Sequence, residues 1–397
     1  MNGLVLSGGG GKGAYQIGVW KALRKLNYKI DVVTGTSVGA INAVLVTQNS
    51  YLLAPLIWNN IDFSAIFKED IGDDYTTGEV IKMYGKNIIK NHGMNVDKLE
   101  KKISLFINYN KFIKSKIKFG IVTYNLTTLK PKMITKENIT REKLKDYVIA
   151  SATCFPAFKL KNIDGDKYID GGYYDVLPIN LAIKLGATDI IAVDLKTIGI
   201  RRKIKEKNVN VRYICPNNYI GSLFVFDKNI NKRNICYGYN DTLKSFGKLE
   251  GNKYTFKKGD LFNIHKKYHD IFINNFKHFL KIKKRTSIPV LNKFIELDVD
   301  TKELCKIVEY LGKYFKIPDY KIYSLKTFNY LLIQQINNCN YVAKKTLSIS
   351  KSDALKEIYF GMINNNSNIK SLAVIYPKDY ICATYLYTII NGDANGV

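Results

Sequence analysis

The segment Leu4-Val5-Leu6-Ser7-Gly8-Gly9-Gly10-Gly11-Lys12-Gly13-Ala14 constrains this chain more than any other, because it runs a short apolar strand into four consecutive glycines and then into a helix. Glycines at a helix start present several backbone N–H groups to one point, where the helix dipole also favours negative charge. The segment therefore predicts an anion cradle within an α/β fold. Three anions compete for it. A dinucleotide would use Gly8, Gly10 and Gly13 as G-x-G-x-x-G, but its ribose-binding acid should stand at the end of the next strand. Gly35-Thr36 stand there, and Asp31 precedes the strand. A nucleotide phosphate loop needs Ser or Thr after its lysine, and Lys12 is followed by Gly13. The third anion is an oxyanion formed during acyl transfer, which requires a nucleophile nearby.

Gly35-Thr36-Ser37-Val38-Gly39 supplies one. It is a G-x-S-x-G elbow after the run Asp31-Val32-Val33 and before an apolar helix from Val38 to Gln48. Such a turn lifts the serine hydroxyl to the helix N-terminus. A serine needs a base, and only four histidines exist. His92 lies in a loop-like Asn91-His92-Gly93, and His265, His269 and His278 share one C-terminal helix pattern, so none reads as a triad partner. His265 and His269 have metal-ligand spacing without a third ligand, so no metal is expected. A carboxylate is left as the base, and Asp170 in Tyr168-Ile169-Asp170-Gly171-Gly172 ends a short strand with two glycines that expose it.

The organisation supports this reading. Apolar runs at 4–6, 31–33, 119–123 and 189–193 alternate with helical patterns at 14–26 and 38–48, which predicts a mostly parallel sheet covered by helices. Asp164-Gly165 predicts the turn of a hairpin. From about residue 256 the pattern turns helical: Leu261, Ile264, Tyr268, Ile271, Phe272, Phe276, Phe279 and Leu280 recur at helical spacing, and Asp300-Thr301-Lys302-Glu303 resembles a capping box. The expected domains are 1–255 and a mainly helical 256–397.

Lys+Arg 61 against Asp+Glu 34 gives a net +27, which favours an anionic partner such as a lipid surface or nucleic acid, although a lysine-rich coding bias gives the same surplus. Nine Lys and Arg stand against two acids in 257–285, so a basic helix there is a candidate for peripheral contact with an anionic membrane; the other reading is that its apolar stripe packs inside the protein. Six scattered cysteines without a C-x-x-C pair suit reduced thiols, and no secretory or membrane-spanning apolar run is present, so a cytoplasmic protein is expected.

Taken together, the glycine cradle, the Ser37 elbow and Asp170-Gly171-Gly172 resemble the patatin-like phospholipase family, over roughly residues 1–200. Ala150-Ser151-Ala152, Leu177-Pro178 and Gly186-Ala187 add to the similarity. The resemblance implies a three-layer α/β core and a Ser37–Asp170 dyad that needs no cofactor. It also implies a phospholipid or other lipid ester as substrate, and no nucleic acid. An oxyanion hole would be formed by Gly9, Gly10, Gly11 and Lys12 with Val38, framed by Gly8, Gly13, Gly35, Gly39, Gly171 and Gly172. The Lys12 ammonium would either strengthen the positive potential or pair with a carboxylate. Asp170 would serve as a base at neutral pH only if desolvation raises its pKa. Two departures stand out: Gly11 replaces the more usual Ala, and Asp175-Val176-Leu177-Pro178 lacks the polar residue many relatives carry after the acid. The alternative is a nucleotide- or nucleic-acid-binding module that uses the cradle and the basic surface.

Overall fold

The structure is a computed structural model that describes residues 1–61, 82, 85, 97–282, 301–339, 350, 352–366 and 368–392. His92, Asp300 and the basic run 283–285 lie outside the described residues. The chain divides into two compact units, Met1–Ser245 and Phe246–Val397. The division precedes the expected 255/256 boundary because Leu249–Glu250 and Thr255–Lys257 are strands of a small sheet belonging to the second unit.

In the first unit the strands are β1 (Asn2–Leu6), β2 (Val32–Thr36), β3 (Lys118–Asn125), β4 (Lys130–Thr135), β5 (Lys161–Ile163), β6 (Asp166–Asp170), β7 (Asp189–Val193) and β8 (Asn210–Ile214). They form one sheet in the order β5-β6-β3-β2-β1-β7-β8, with β4 paired to β3. The run from β3 through β2, β1 and β7 to β8 is parallel, whereas β4, β5 and β6 pair antiparallel. Every residue of β2 is buried, as a parallel strand covered on both faces requires. The expected hairpin is present, with Ile163 opposite Asp166 and positive φ at Asp164 and Gly165.

Among the described residues this unit's helices include α1 (Ala14–Lys25), α2 (Val38–Thr47), α3 (Leu53–Asn59), α4 (Asp97–Phe106), α5 (Tyr109–Lys114), α6 (Arg141–Ser151), α7 (Ile179–Lys184) and α8 (Lys228–Ser245). α2 is buried along nearly all its length against the sheet. Strand register then sets the site. Leu6 stands beside Gly35, and Thr36 pairs with Val122, one residue before Thr123, which pairs with Asp170. The ends of β1, β2 and β6 thus emerge together at the carboxyl edge of the parallel strands, where open α/β sheets bind ligands.

The second unit is mainly helical around α9 (Asp260–Leu280), as expected. Its core gathers Phe256, Phe272, Phe276, Phe328, Tyr380 and Leu386. The apolar stripe of α9 is spent there: Leu261, Tyr268, Phe272, Phe276 and Leu280 are buried. The idea that this helix lies in a lipid interface is therefore corrected, since the face it would insert is already packed. Phe262, off that stripe, and Ile271, at its edge, are exposed.

Candidate active site

Ser37 sits between β2 and α2 with φ 57° and ψ −127°, a left-handed backbone that an L-residue adopts only at a cost on the order of 1–3 kcal/mol. Close packing holds it there. A Cβ on Gly39 would come within 2.2 Å of the Leu6 carbonyl oxygen, so strand and helix approach closer than a side chain allows. The Ser37 N–H donates to the Ser151 hydroxyl at 3.0 Å, and that buried hydroxyl donates to the Val122 carbonyl at 2.7 Å. Ser151 at the end of α6 thereby ties the elbow to β3. Gly35, within β2, packs against the Gly39 carbonyl.

Asp170, the last residue of β6, is buried and lines the same cavity as Ser37. Its Oδ1 accepts the Gly172 N–H at 2.7 Å, and its own N–H donates to the Thr153 carbonyl at 2.8 Å. Burial pushes its pKa up to about 6, while the hydrogen bonds from Gly172 and Ser37 hold it down. Gly171 packs on the Val122 carbonyl of β3. Desolvation thus makes this carboxyl more basic than an exposed aspartate.

The glycine loop closes the third side. Gly8 donates to the Val176 carbonyl at 2.9 Å, and its own carbonyl accepts the Thr197 hydroxyl at 2.8 Å. Gly10 has φ +50°, and a Cβ there would lie 2.1 Å from the Leu223 carbonyl oxygen, so only glycine fits. Gly11 does not serve as an anion donor: its N–H is committed to that same Leu223 carbonyl at 2.8 Å. The Lys12 N–H is likewise taken, by the Gly9 carbonyl at 3.1 Å. The Lys12 side chain is half-buried, with its pKa lowered by that burial, and has no carboxylate partner among the described residues. Gly13 caps α1, and its carbonyl accepts from Asn42 at 3.0 Å. The N–H groups of Gly9, Gly10 and Val38 have no acceptor among the described residues.

Gly9, Gly10, Ser37, Val38 and Asp170 all line one cavity of about 510 Å³. Its remaining walls are almost wholly apolar. Ile41 of α2, Trp58 of α3, Ile103 and Phe106 of α4, and Phe158, Phe224 and Phe226 contribute most of them. Cys154 also lines it, but burial and the neighbouring Asp170 push its thiol up to about 12, so it stays protonated and is no rival nucleophile. Asp175, where a supporting contact seemed missing, is buried, with its pKa pushed up to about 6 by burial. Its carboxylate accepts the Leu177 N–H at 3.3 Å and its carbonyl the Thr36 hydroxyl at 2.8 Å, so it braces the end of β2.

Sequence reasoning missed the scaffold beneath the loop. Gln16 donates to the Ser7 carbonyl at 2.7 Å, Asn42 to Gln16 at 2.9 Å, and the Trp58 indole to Asn42 at 3.0 Å. These polar residues interrupt the apolar stripes of α1 and α2 and mark the buried network, although nothing local says what they bond to.

The first unit is a mostly parallel α/β sheet with a serine at a strand-to-helix elbow, and that serine, a buried aspartate and a glycine-rich turn line one cavity. Residues 4–183 match the family described as patatin-like phospholipase. The chain is similar to the lysophospholipase nte1 of Aspergillus terreus, 30% identical over 205 residues, covering 49% of this chain and 12% of that protein. It is also similar to patatin-like phospholipase domain-containing protein 7 of Rattus norvegicus, 27% identical over 204 residues, covering 48% of this chain and 13% of that one. The match thus spans only about an eighth of either relative. Among solved structures, VipD from Legionella pneumophila aligns over 98% of this chain and 91% of its own, at 14% identity and a TM-score of 0.35.

Proposed function

We propose that the amino-terminal unit is a serine acyl hydrolase that cleaves carboxylic esters of membrane lipids, in the manner of a phospholipase A or lysophospholipase, through Ser37 and Asp170. The observation that carries this reading is that Ser37, on its strained strand-to-helix elbow, and a buried Asp170 whose pKa is pushed up to about 6 line one apolar cavity. Asp170 takes the proton from Ser37 Oγ as it attacks the ester carbonyl, and the alcohol leaves with that proton. Water, deprotonated by the same carboxylate, then releases the acid from the acyl-enzyme. The N–H groups of Gly9, Gly10 and Val38 are the donors proposed for the tetrahedral oxyanion, each worth roughly 2.7–4 kcal/mol. The apolar walls suit an acyl chain and offer little to the phosphates of a nucleotide, which weighs against the binding-module alternative.

The test is hydrolysis of p-nitrophenyl esters and of mixed phospholipid vesicles by the purified chain. Ester cleavage that disappears in Ser37→Ala supports the reading. A Ser37→Ala protein that releases fatty acid at the wild-type rate ends it.

A further inference from the structure

The loop that follows β7 does something no packed loop requires. Ile198 is 99% exposed, and Ile200 and Ile204 are 48% and 37% exposed. Single exposed apolar residues are ordinary on protein surfaces. Three isoleucines so close together, interleaved with Lys196, Arg202, Lys203, Lys205 and Lys207 against Glu206, with Arg201 paired to Asp194 at 3.0 Å, are a pattern that water does not favour and an anionic interface does.

The loop is also fixed in place. Val176 donates to the Ile200 carbonyl at 2.8 Å, and Ile200 donates to the Gly172 carbonyl at 3.0 Å. Asn180 holds the cationic stretch at both ends of its amide, donating to the Lys203 carbonyl at 2.9 Å and accepting the Lys205 N–H at 3.1 Å. The Ile198 side chain is therefore held outward rather than left there by fraying. Thr197, Ile198 and Ile200 line the same cavity as Ser37 and Asp170, so the exposed apolar tip stands at its mouth.

From the exposure of Ile198, the cations around it and its place on the cavity wall, we infer that residues 195–207 are the docking element that seats the amino-terminal unit on an anionic phospholipid bilayer. Ile198 enters the acyl region and the lysines meet the headgroup phosphates. This inference rests on the proposed lipid-ester reading. It assigns membrane contact to the first unit, where the α9 helix has no free apolar stripe to offer.

The experiment is sedimentation of the full chain, carrying Ser37→Ala to prevent hydrolysis, with phosphatidylcholine vesicles with and without phosphatidylglycerol. Binding is expected only with phosphatidylglycerol, and added salt should weaken it. Ile198→Asp and the pair Lys203→Glu/Lys205→Glu should each weaken it about tenfold, while Lys258→Glu/Lys266→Glu in the second unit leaves it unchanged. In the background with Ser37 intact, Lys203→Glu/Lys205→Glu should turn over soluble p-nitrophenyl butyrate as the wild type does. A chain that binds vesicles through this loop yet cleaves no ester would sink the proposed activity and not the docking. Wild-type binding by both loop variants, or a change of oligomeric state in Ile198→Asp with vesicle binding intact, overturns the docking inference.

Discussion

The backbone N–H of Ser37 donates to the hydroxyl of Ser151, which in turn donates to the Val122 carbonyl, so a single buried side chain fixes the elbow against the strand that pairs with Asp170's strand. Ser151→Ala leaves the Ser37 N–H without that partner, at a cost of roughly 1–3 kcal/mol. The expected result is a lower melting temperature and a kcat for p-nitrophenyl butyrate reduced about tenfold with little change in KM. Unchanged kcat and melting would show that the elbow does not depend on this bridge.

Gly10 has no room for a methyl group. A Cβ there meets the Leu223 carbonyl oxygen at 2.1 Å, on a backbone at φ +50° that alanine also resists. Gly10→Ala should displace the loop and lower kcat about a hundredfold, the usual consequence of losing an oxyanion donor. Circular dichroism should stay close to wild type. Full activity in the variant would mean that the loop contributes no donor.

The pKa of Asp170 sets the pH dependence. A general base works only when deprotonated, so kcat/KM should fall as pH drops through about 6 and level off above it. The same shift has a stability consequence of opposite sense. Asp170 binds its proton more tightly folded than unfolded, so burying its charge destabilises the fold fully above about pH 6, and this penalty vanishes below the ordinary carboxylate range. Asp170→Asn should therefore melt a few degrees above wild type at pH 8 and lose that advantage toward pH 4. Melting curves at both pH values check it; a variant less stable at pH 8 than at pH 4 relative to wild type contradicts it.

The cavity runs beside α2, and Ile41 lines it one turn beyond Ser37. Ile41→Trp fills space that a long acyl chain would occupy. Hydrolysis of p-nitrophenyl palmitate should fall about tenfold or more, with p-nitrophenyl butyrate affected much less. Equal losses on both esters would place the acyl chain elsewhere.

Much of this site was legible in the sequence because its parts are local. Strand, glycines and helix are contiguous around Gly10, as they are around Ser37, and backbone geometry alone dictates those residue types. What brings the parts together is not local. The register that sets Thr36 beside Val122 and Thr123 beside Asp170 depends on three strands far apart in the chain. The fate of each glycine N–H was equally hidden: Gly11 is spent on Leu223, a residue no motif marks. The α9 stripe was read correctly as a helix face, but an amphipathic pattern states only that one face is apolar, and the core of the second unit, not a membrane, turned out to cover it.

Covalent labelling with a fluorophosphonate tests the account most directly, because it reads the reactivity of Ser37 without any assumption about the lipid. The account predicts one adduct, mapped to Ser37, absent from Ser37→Ala and formed about a hundredfold more slowly in Asp170→Asn. An adduct on another residue, or labelling of Asp170→Asn at the wild-type rate, would contradict it.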